Sequence, residues 1–381
     1  GDPNALVQHL WSQTAAKTDG VLAVGGVPLT DLVAEHGSPA YVLDEVDFRA
    51  RAAAFREGFH DFDVFYAGKA FLCTTVARWI DEEGLHLDVC TGGELAVAER
   101  AGFPMQRVGF HGNNKSVAEL ERAVRLGVGR IIVDSFHEIE RLTAVTADLG
   151  REVGVMVRVT AGVEAHTHEY IATAHEDQKF GFSITSGDAL EAVRRVHSAP
   201  GLRLLGLHSH IGSQIFDTSG FEVAARRVLA LHARVGEELG VQMPEMDLGG
   251  GFGIAYTTQD DPADPADLAA GMRAIVEHEC RALGIERPAL SIEPGRAVVG
   301  PSMCTVYSVG TVKPVRLDGG ARRTYVSVDG GMSDNVRTAL YDADYSCTVA
   351  NRVSDAPPVL ARVVGKHCEA GDIVVKDEFL P

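Results

Sequence analysis

Basic residues are scarce in this chain relative to acidic ones. Its 381 residues include 35 Lys and Arg against 53 Asp and Glu, which gives a formal net charge of −18 at pH 7. Because like charges repel, this balance argues against non-specific binding to nucleic acid or to an acidic membrane surface. We therefore expect neither nucleic acid nor a membrane among its partners.

Patterns typical of secreted and membrane proteins are also missing. The six cysteines have no CxxC spacing, which favours a reduced setting over a disulfide framework. No apolar stretch approaches the roughly 18 residues that a membrane span needs. Residues 1–14 lack the basic and then apolar pattern of a signal peptide. These absences predict a cytoplasmic location.

Eight short apolar segments run through the first three quarters of the chain. Several are rich in β-branched residues or leucine and lack polar alternation, which is typical of strands covered on both faces. The predicted strands are 64–69, 85–90, 108–111, 130–134, 153–159, 204–210, 246–248 and 290–293.

Helix-start signals lie between several of these segments. Four pairs have capping-box spacing, in which a hydroxyl and a carboxylate satisfy free amides at a helix start: Thr91 with Glu94, Ser116 with Glu119, Ser135 with Glu138, and Ser219 with Glu222. Strand, helix and strand form a βα repeat. Eight repeats predict an α/β fold with a closed (β/α)8 TIM-like barrel rather than an open doubly wound sheet.

The sequence changes character after Gly300. Shorter strands are predicted at 304–312, 324–328, 345–349 and 359–364, joined by Gly, Pro and Asp turns without a long helix. We predict a barrel over 44–301 and a β-rich domain built from the C-terminal part, 302–381, and the N-terminal segment, 1–43. The segment Val21–Val24 would contribute a strand to that second domain.

Polar residues suited to chemistry follow the predicted barrel strands at their C-terminal ends, where barrels place their active sites. Lys69 ends the first strand among the apolar neighbours Tyr66, Ala67 and Phe71. Apolar surroundings can turn a lysine into a nucleophile that forms a Schiff base. An ion-paired structural lysine is the alternative.

A glycine-rich loop, residues 249–253, follows the seventh predicted strand. Barrels commonly bind a phosphate at the loops after strands seven and eight, and glycine lets backbone amides approach the anion. A tight structural turn is the alternative. The loop lacks the acidic ribose partner of a dinucleotide-binding βαβ unit, which disfavours a nicotinamide oxidoreductase.

The sixth and eighth predicted strands also end in polar residues. Glu293 can hold a proton on a ring nitrogen, and Arg296 offers a forked cation to a phosphate or carboxylate. His210 can present a flat face to a ring, and Ser213 a hydroxyl to a phosphate, although a core histidine is the usual alternative. Together with Lys69, these groups describe a site for pyridoxal phosphate.

Other polar and sulfur-bearing residues carry weaker signals. Segments 164–169 and 175–177 hold enough imidazole and carboxylate for a metal site. They lie on the long loop after the fifth predicted strand, and we expect no metal there. Five cysteines, at 73, 90, 280, 304 and 347, are expected to be buried apolar residues.

At these residues the chain resembles the fold type III pyridoxal-phosphate decarboxylases, and among them the diaminopimelate decarboxylase family. The resemblance extends in order over nearly the whole chain. It is carried by residues 66–71, 87–90, 111–115, 208–214, 249–251, 293–296 and 366–372.

The resemblance implies roles for individual residues. Lys69 would carry pyridoxal 5′-phosphate covalently, His210 would stack on its ring, and Glu293 would contact the pyridine nitrogen. The family is usually a homodimer with shared active sites, in which the partner's cysteine corresponds to Cys368. The remaining cofactor site would comprise the phosphate neighbours Ser213, Gly251, Gly295 and Arg296, together with Asp88 and Gly250.

The resemblance also implies a substrate. Decarboxylation of meso-2,6-diaminopimelate would give L-lysine and CO2, the last step of lysine biosynthesis. Arg296, Arg337 and Tyr341 would bind the distal carboxylate, and Glu369 the distal ammonium. Ornithine-type relatives have an aspartate in place of Glu369 and lack the arginine clamp. Without the resemblance, a surface turn is the simpler interpretation of Arg337 and Tyr341.

Two alternatives stay open at the level of sequence. One is a decarboxylase or racemase of the same fold that acts on another amino acid. The other is a non-catalytic homologue that binds a partner. The family continues beyond the Cys368 segment through a tyrosine that contacts cofactor and substrate, whereas this chain stops at Pro381. The sequence therefore predicts a β domain that is incomplete at its end.

Overall fold

Strands and helices alternate through the central part of the chain. The computed structural model describes residues 1–161, 164–165, 170–171, 179–210 and 216–381, with the backbone alone at 164–165 and 170–171. The strands are β1 (Ala16–Thr18), β2 (Val21–Val24), β3 (Val27–Pro28), β4 (Ala40–Leu43), β5 (Phe62–Ala67), β6 (His86–Val89), β7 (Val108–Phe110), β8 (Arg130–Val133), β9 (Val153–Thr160), β10 (Glu164–Ala165), β11 (Tyr170–Ile171), β12 (Phe182–Ser183), β13 (Leu202–His208), β14 (Glu245–Asp247), β15 (Ala289–Ile292), β16 (Met303–Val306), β17 (Val309–Arg316), β18 (Arg322–Val328), β19 (Val359–Val364) and β20 (Ile373–Leu380).

The helices occupy most of the connections between barrel strands. They are α1 (Leu29–His36), α2 (Glu45–Gly58), α3 (Thr74–Glu82), α4 (Gly92–Arg100), α5 (Val117–Leu126), α6 (Phe136–Leu149), α7 (Asp188–Ser198), α8 (Phe221–Leu239), α9 (Pro265–Leu283), α10 (Arg296–Val299) and α11 (Arg337–Tyr341). Within the part of the chain that the structure describes, no helix has the length and apolar character needed to cross a membrane.

Eight parallel strands close into a barrel. In neighbour order they are β5, β6, β7, β8, β9, β13, β14 and β15, and the pairing of Ile292 in β15 with Val64 in β5 completes the ring. The (β/α)8 prediction is confirmed. Each predicted barrel strand overlaps an observed one, and their ends differ by at most two residues, because the apolar segments are buried on both faces.

The predicted capping signals hold for three of the four helices. Ser116 and Glu119 form a complete capping box, with bonds of 3.1 and 2.9 Å between side chains and backbone amides. The hydroxyls of Thr91 and Ser135 each accept a hydrogen bond from the backbone amide of the residue three positions later. The prediction at Ser219 is wrong: α8 starts after Gly220. The backbone amide of Ser219 instead donates to Asp217 in a local turn (2.9 Å).

Two compact units make up the chain. The barrel unit contains residues 49–253 and 262–298, and the second unit contains residues 1–48, 254–261 and 299–381. The second unit has an antiparallel β1-β2-β3 sheet, an antiparallel β4–β16 pair, and a β17-β18-β19-β20 sheet in which β18 and β19 are parallel. The predicted strands Val21–Val24 and 359–364 are present with those bounds.

Two strand predictions in the second unit need correction. The segment 304–312 is divided into β16 and β17 by a break at Tyr307 and Ser308. No strand forms at 345–349, although this part of the chain is described. Side-chain contacts hold that segment instead: Ser346 donates to the Tyr256 carbonyl (2.7 Å), and Lys17 donates to the Thr348 hydroxyl (2.9 Å).

Candidate active site

Lys69 lies on the rim formed by the C-terminal ends of the barrel strands. Strand β5 ends at Ala67, and the amide of Gly68 donates to the Asp88 carbonyl (2.9 Å) at the end of β6. Lys69 is exposed. The expectation that its apolar neighbours would shield it from solvent is therefore wrong. The physical reason is that Lys69 is two residues past the buried strand, where the backbone leaves the barrel wall.

A buried cluster of one carboxylate and two imidazoles lies at the same rim. Glu293 follows β15, His208 ends β13 and His111 follows β7. The Nε2 atom of His208 is 2.9 Å from Glu293 Oε1, and the Nε2 atom of His111 is 2.9 Å from Glu293 Oε2. All three side chains are at most 10% exposed. Each carboxylate oxygen of Glu293 therefore faces its own imidazole.

Opposing electrostatic effects set the charge of this cluster. Burial raises the pKa of Glu293, but His208 and His111 outweigh it and hold that pKa well below its usual range. Burial and the nearby Glu293 charge raise the pKa of Asp88 well above its usual range. Of this carboxyl pair, Glu293 is therefore the one whose ionised form the surroundings favour.

The glycine-rich loop is tied to the strand ends beside this cluster. The amide of Gly249 donates to Asp247 Oδ1 (2.7 Å), and the amide of Glu293 donates to the Gly249 carbonyl (2.9 Å). A Cβ atom at Gly250 would lie 2.2 Å from the Glu293 carbonyl oxygen, which no larger residue could tolerate. Position 250 therefore has to be glycine for the loop to pack against Glu293.

Two further predicted cofactor residues lie on the turn after β15. Gly295 packs against the β5 end, because a Cβ atom there would be 3.0 Å from Ala67. Arg296 begins α10. The turn that carries Glu293 is thereby held against the strand that precedes Lys69.

His210 lies two residues after the end of β13. Burial, with the nearby positive charges of Lys69 and Arg158, lowers the pKa of His210 to about 3. The ring is therefore neutral near pH 7 and suited to lie against an aromatic cofactor. Ser213 is outside the described residues.

Of the four predicted substrate residues, Arg296 belongs to the barrel unit and the other three belong to the second unit. Arg337 begins α11, and its guanidinium carbon is 4.2 Å from the ring centroid of Tyr256. Tyr341 ends the same helix and is exposed. Cys368 and Glu369 are exposed in the turn that precedes β20.

The two segments that were weighed as a metal site, 164–169 and 175–177, fall almost entirely outside the described residues, and none of their side chains is described. Of the five cysteines expected to be buried, Cys280 is buried and the other four are partly exposed. Burial nevertheless raises the pKa of Cys304 to about 11 and that of Cys347 to about 12. These thiols are poor nucleophiles at neutral pH.

Sequence reasoning assigned no role to His111 or His208. Both stand where a barrel strand ends, which is the position that marked Lys69 and Glu293 as candidates. The missing information was tertiary: strands β7, β13 and β15 bring residues 111, 208 and 293 together from distant parts of the chain.

Comparisons with known proteins agree with this architecture. The family described as "Pyridoxal-dependent decarboxylase, pyridoxal binding domain" matches residues 45–300. The diaminopimelate decarboxylase of Mycobacterium tuberculosis (strain H37Rv) is 57% identical over 385 residues, covering 99% of this chain and 86% of that protein. The enzyme of the same name from Bacillus subtilis (strain 168) is 42% identical over 366 residues, covering 95% of this chain and 82% of that protein.

A solved structure shows the same fold. The crystal structure of diaminopimelate decarboxylase from M. jannaschii, in complex with L-lysine, superposes with a TM-score of 0.88 at 28% sequence identity. The superposition covers 97% of this chain and 85% of the M. jannaschii chain. The chain belongs to the pyridoxal-dependent decarboxylases, within the diaminopimelate decarboxylase family.

Proposed function

We propose that this protein uses pyridoxal 5′-phosphate to remove one carboxyl group from meso-2,6-diaminopimelate, giving L-lysine and CO2. The observation that carries this proposal is the buried Glu293, which lies 2.9 Å from both His111 and His208 on the rim that also bears Lys69. The identity of the substrate is inferred from the relatives named diaminopimelate decarboxylase.

The residues present fit the cofactor. Glu293 Oε2 is buried and makes no well-aligned hydrogen bond to any described residue, although His111 lies 2.9 Å away. A buried carboxylate oxygen of this kind is suited to accept a hydrogen bond from a protonated pyridine nitrogen. Gly250 packs against the Glu293 carbonyl with no room for a Cβ atom, and the backbone amides of a glycine-rich loop suit a phosphate.

We assign the cofactor contacts accordingly. Lys69 would bind the cofactor aldehyde, and Glu293 would hold the proton on the ring nitrogen. The neutral ring of His210 would stack on the cofactor without adding a competing charge. The remaining contacts would come from Asp88, Ser213, Gly250, Gly251, Gly295 and Arg296.

When bound, the cofactor supplies an electron sink for the pair left on the α-carbon after CO2 departs. The chain's own residues control protons around that event. Glu293, whose pKa the two imidazoles hold below its usual range, would keep the ring nitrogen protonated. Lys69 would hold the cofactor until the substrate amine takes its place. Cys368 of the partner subunit, or a group that it controls, would deliver the proton to the α-carbon.

Substrate selection would rest on charges at the distal end. A forked guanidinium on Arg337 suits a carboxylate, with Arg296 and Tyr341 assisting, and Glu369 suits an ammonium. The Tyr256 ring beneath Arg337 restrains the guanidinium without neutralising it. Lysine and ornithine have no distal carboxylate and should therefore be poor substrates. Equal turnover of ornithine and meso-diaminopimelate would instead indicate an amino-acid decarboxylase with broader substrate specificity.

Replacing Arg337 with alanine should weaken use of meso-diaminopimelate far more than it weakens cofactor binding. A charge-assisted hydrogen bond is typically worth about 1.5–3 kcal/mol, or roughly ten- to a hundredfold in kcat/KM. The measurement is kcat/KM at saturating cofactor, with the exposed Arg316→Ala as the matched control. An unchanged kcat/KM for Arg337→Ala would contradict the clamp.

We further propose a cytoplasmic homodimer with shared active sites. Cys368 and Lys69 belong to different units of the chain, and the family resemblance assigns the cysteine to the partner. Mixing inactive Lys69→Ala and Cys368→Ala chains should restore part of the activity, because a heterodimer then has one intact site. Native mass spectrometry would verify subunit exchange. Proven exchange without any recovered activity would refute a shared site.

A further inference from the structure

Arg337 is a half-buried cation that rests on an aromatic ring and not on a carboxylate. Its guanidinium carbon lies 4.2 Å from the ring centroid of Tyr256. Its Nε atom is buried and has no hydrogen-bond partner among the residues that the structure describes, and none of their carboxylates forms an ion pair with it. Within the described part of its own chain, the charge of Arg337 is therefore supported by Tyr256.

Contacts on both its backbone and its ring fix the position of Tyr256. Its amide donates to Asp260 Oδ2 (2.9 Å), and its carbonyl accepts from the Ser346 hydroxyl (2.7 Å). Its ring packs on that of Tyr345, with the centroids 5.6 Å apart and the planes inclined by 56°. Tilted aromatic pairs at such distances are favourable. The ring face that meets Arg337 is thus held in place from the backbone and from a neighbouring ring.

The backbone of Arg337 is fixed separately. Arg337 is the first residue of α11. The next residue, Thr338, is buried and donates its hydroxyl to the Val374 carbonyl in β20 (2.8 Å). Beyond this anchored backbone, an arginine side chain keeps several rotatable bonds, whose freedom is costly to lose when a ligand binds. Tyr256 therefore restricts the far end of a side chain whose near end α11 already fixes.

An aromatic face positions a cation differently from a carboxylate. A carboxylate would occupy the forked N–H donors of the guanidinium and neutralise its charge, so that a ligand carboxylate would have to displace it. A ring face attracts the guanidinium through its quadrupole and forms no hydrogen bond with the N–H donors in the guanidinium plane. A cation held on a ring is therefore suited to bind an incoming carboxylate.

We propose that Tyr256 is a positioning residue that contributes to substrate specificity: its ring orients the Arg337 guanidinium toward the distal carboxylate of the substrate. This inference rests on the proposed function, which assigns that carboxylate to Arg337. Tyr256 itself does not contact the substrate in this assignment. Because its effect is transmitted through Arg337, it should appear only with ligands that carry the carboxylate.

Two ligands of the cofactor-loaded protein test this role. The product L-lysine keeps the carboxylate that the reaction does not remove, and cadaverine (1,5-diaminopentane) is the same diamine without it. Tyr256→Leu removes the ring face. It should weaken inhibition by L-lysine about three- to thirtyfold, the range of a cation–π contact, and leave inhibition by cadaverine within about twofold. KM for meso-diaminopimelate should rise by the same factor as the L-lysine inhibition constant, with kcat nearly unchanged.

Three further variants serve as controls. Tyr256→Phe keeps the ring face and should behave as the parent protein does. Tyr256→Gln is a second variant without a ring and should reproduce the effect of Tyr256→Leu. Phe103→Leu is the matched control, because Phe103 lies 5.1 Å from the Arg107 guanidinium shortly before the N-terminal end of β7. Loss of that contact should leave both inhibition constants unchanged.

A double-mutant cycle completes the test. In an Arg337→Ala background, Tyr256→Leu should have little further effect. Additive losses, equal weakening of L-lysine and cadaverine, unchanged inhibition by L-lysine, or failure of both ring-free variants to fold would each overturn the positioning role. A parent protein that does not decarboxylate meso-diaminopimelate would refute the proposed function instead, and a silent Arg337→Ala would refute the clamp.

Discussion

Lys69→Ala should eliminate both activity and covalent attachment of the cofactor. Without the ε-amine, borohydride has no protein-bound imine to reduce, and the nucleophile that exchanges with substrate is lost. Positioned proton-transfer and nucleophilic groups typically contribute 10²–10⁴-fold, so we expect kcat to fall by roughly that range. The measurement combines kcat with mass spectrometry of borohydride-treated peptides.

The control for this experiment is another lysine. Lys313 in β17 is exposed and lies in the second unit, so Lys313→Ala should retain both the label and the activity. A label found on a lysine other than Lys69 in the parent protein would show that the attachment site is assigned incorrectly.

Glu293→Gln should have the second largest effect. A neutral amide cannot stabilise a positive ring nitrogen, so the electron sink weakens at the step where CO2 leaves. Loss of one preorganised electrostatic group commonly costs about 10²–10³-fold in kcat. We expect this loss at saturating cofactor, together with weaker cofactor affinity measured by fluorescence titration.

A matched variant tests whether the site, and not burial alone, explains the loss. Glu279 is another buried glutamate of the barrel unit and pairs with Arg226 (3.3 Å) away from the rim. Glu279→Gln should leave kcat within about twofold, as expected for a residue that takes no part in the reaction. A Glu293→Gln variant with parental kcat would show that Glu293 does not control the ring nitrogen.

The barrel was predictable because its signals are local. Segments such as Val153–Thr160 are apolar without alternation, and Ser116 with Glu119 marks a helix start in the sequence itself. The second unit was harder to predict. The segment 345–349 has the composition of a strand, but it is held by hydrogen bonds of the Ser346 and Thr348 side chains rather than by backbone hydrogen bonds to a neighbouring strand. Tertiary contacts overrode β-propensity there.

The candidate site was predictable in part for the same reason. Lys69 and Glu293 follow recognisable strands, so their common rim follows from barrel topology. The pairing of Glu293 with His111 and His208 depends on three strands separated widely in sequence. The contacts of the Asp372 carboxylate with the backbone amides of Met332 and His367 likewise depend on an approach between two loops that no local pattern encodes.

The most direct test is conversion of meso-2,6-diaminopimelate by the purified protein, with and without added pyridoxal phosphate, followed by quantification of L-lysine and CO2. We predict equal amounts of the two products, formed only when the cofactor is bound and abolished by Lys69→Ala. Failure of the cofactor-saturated protein to form lysine, or formation of lysine independent of the cofactor, would contradict the account.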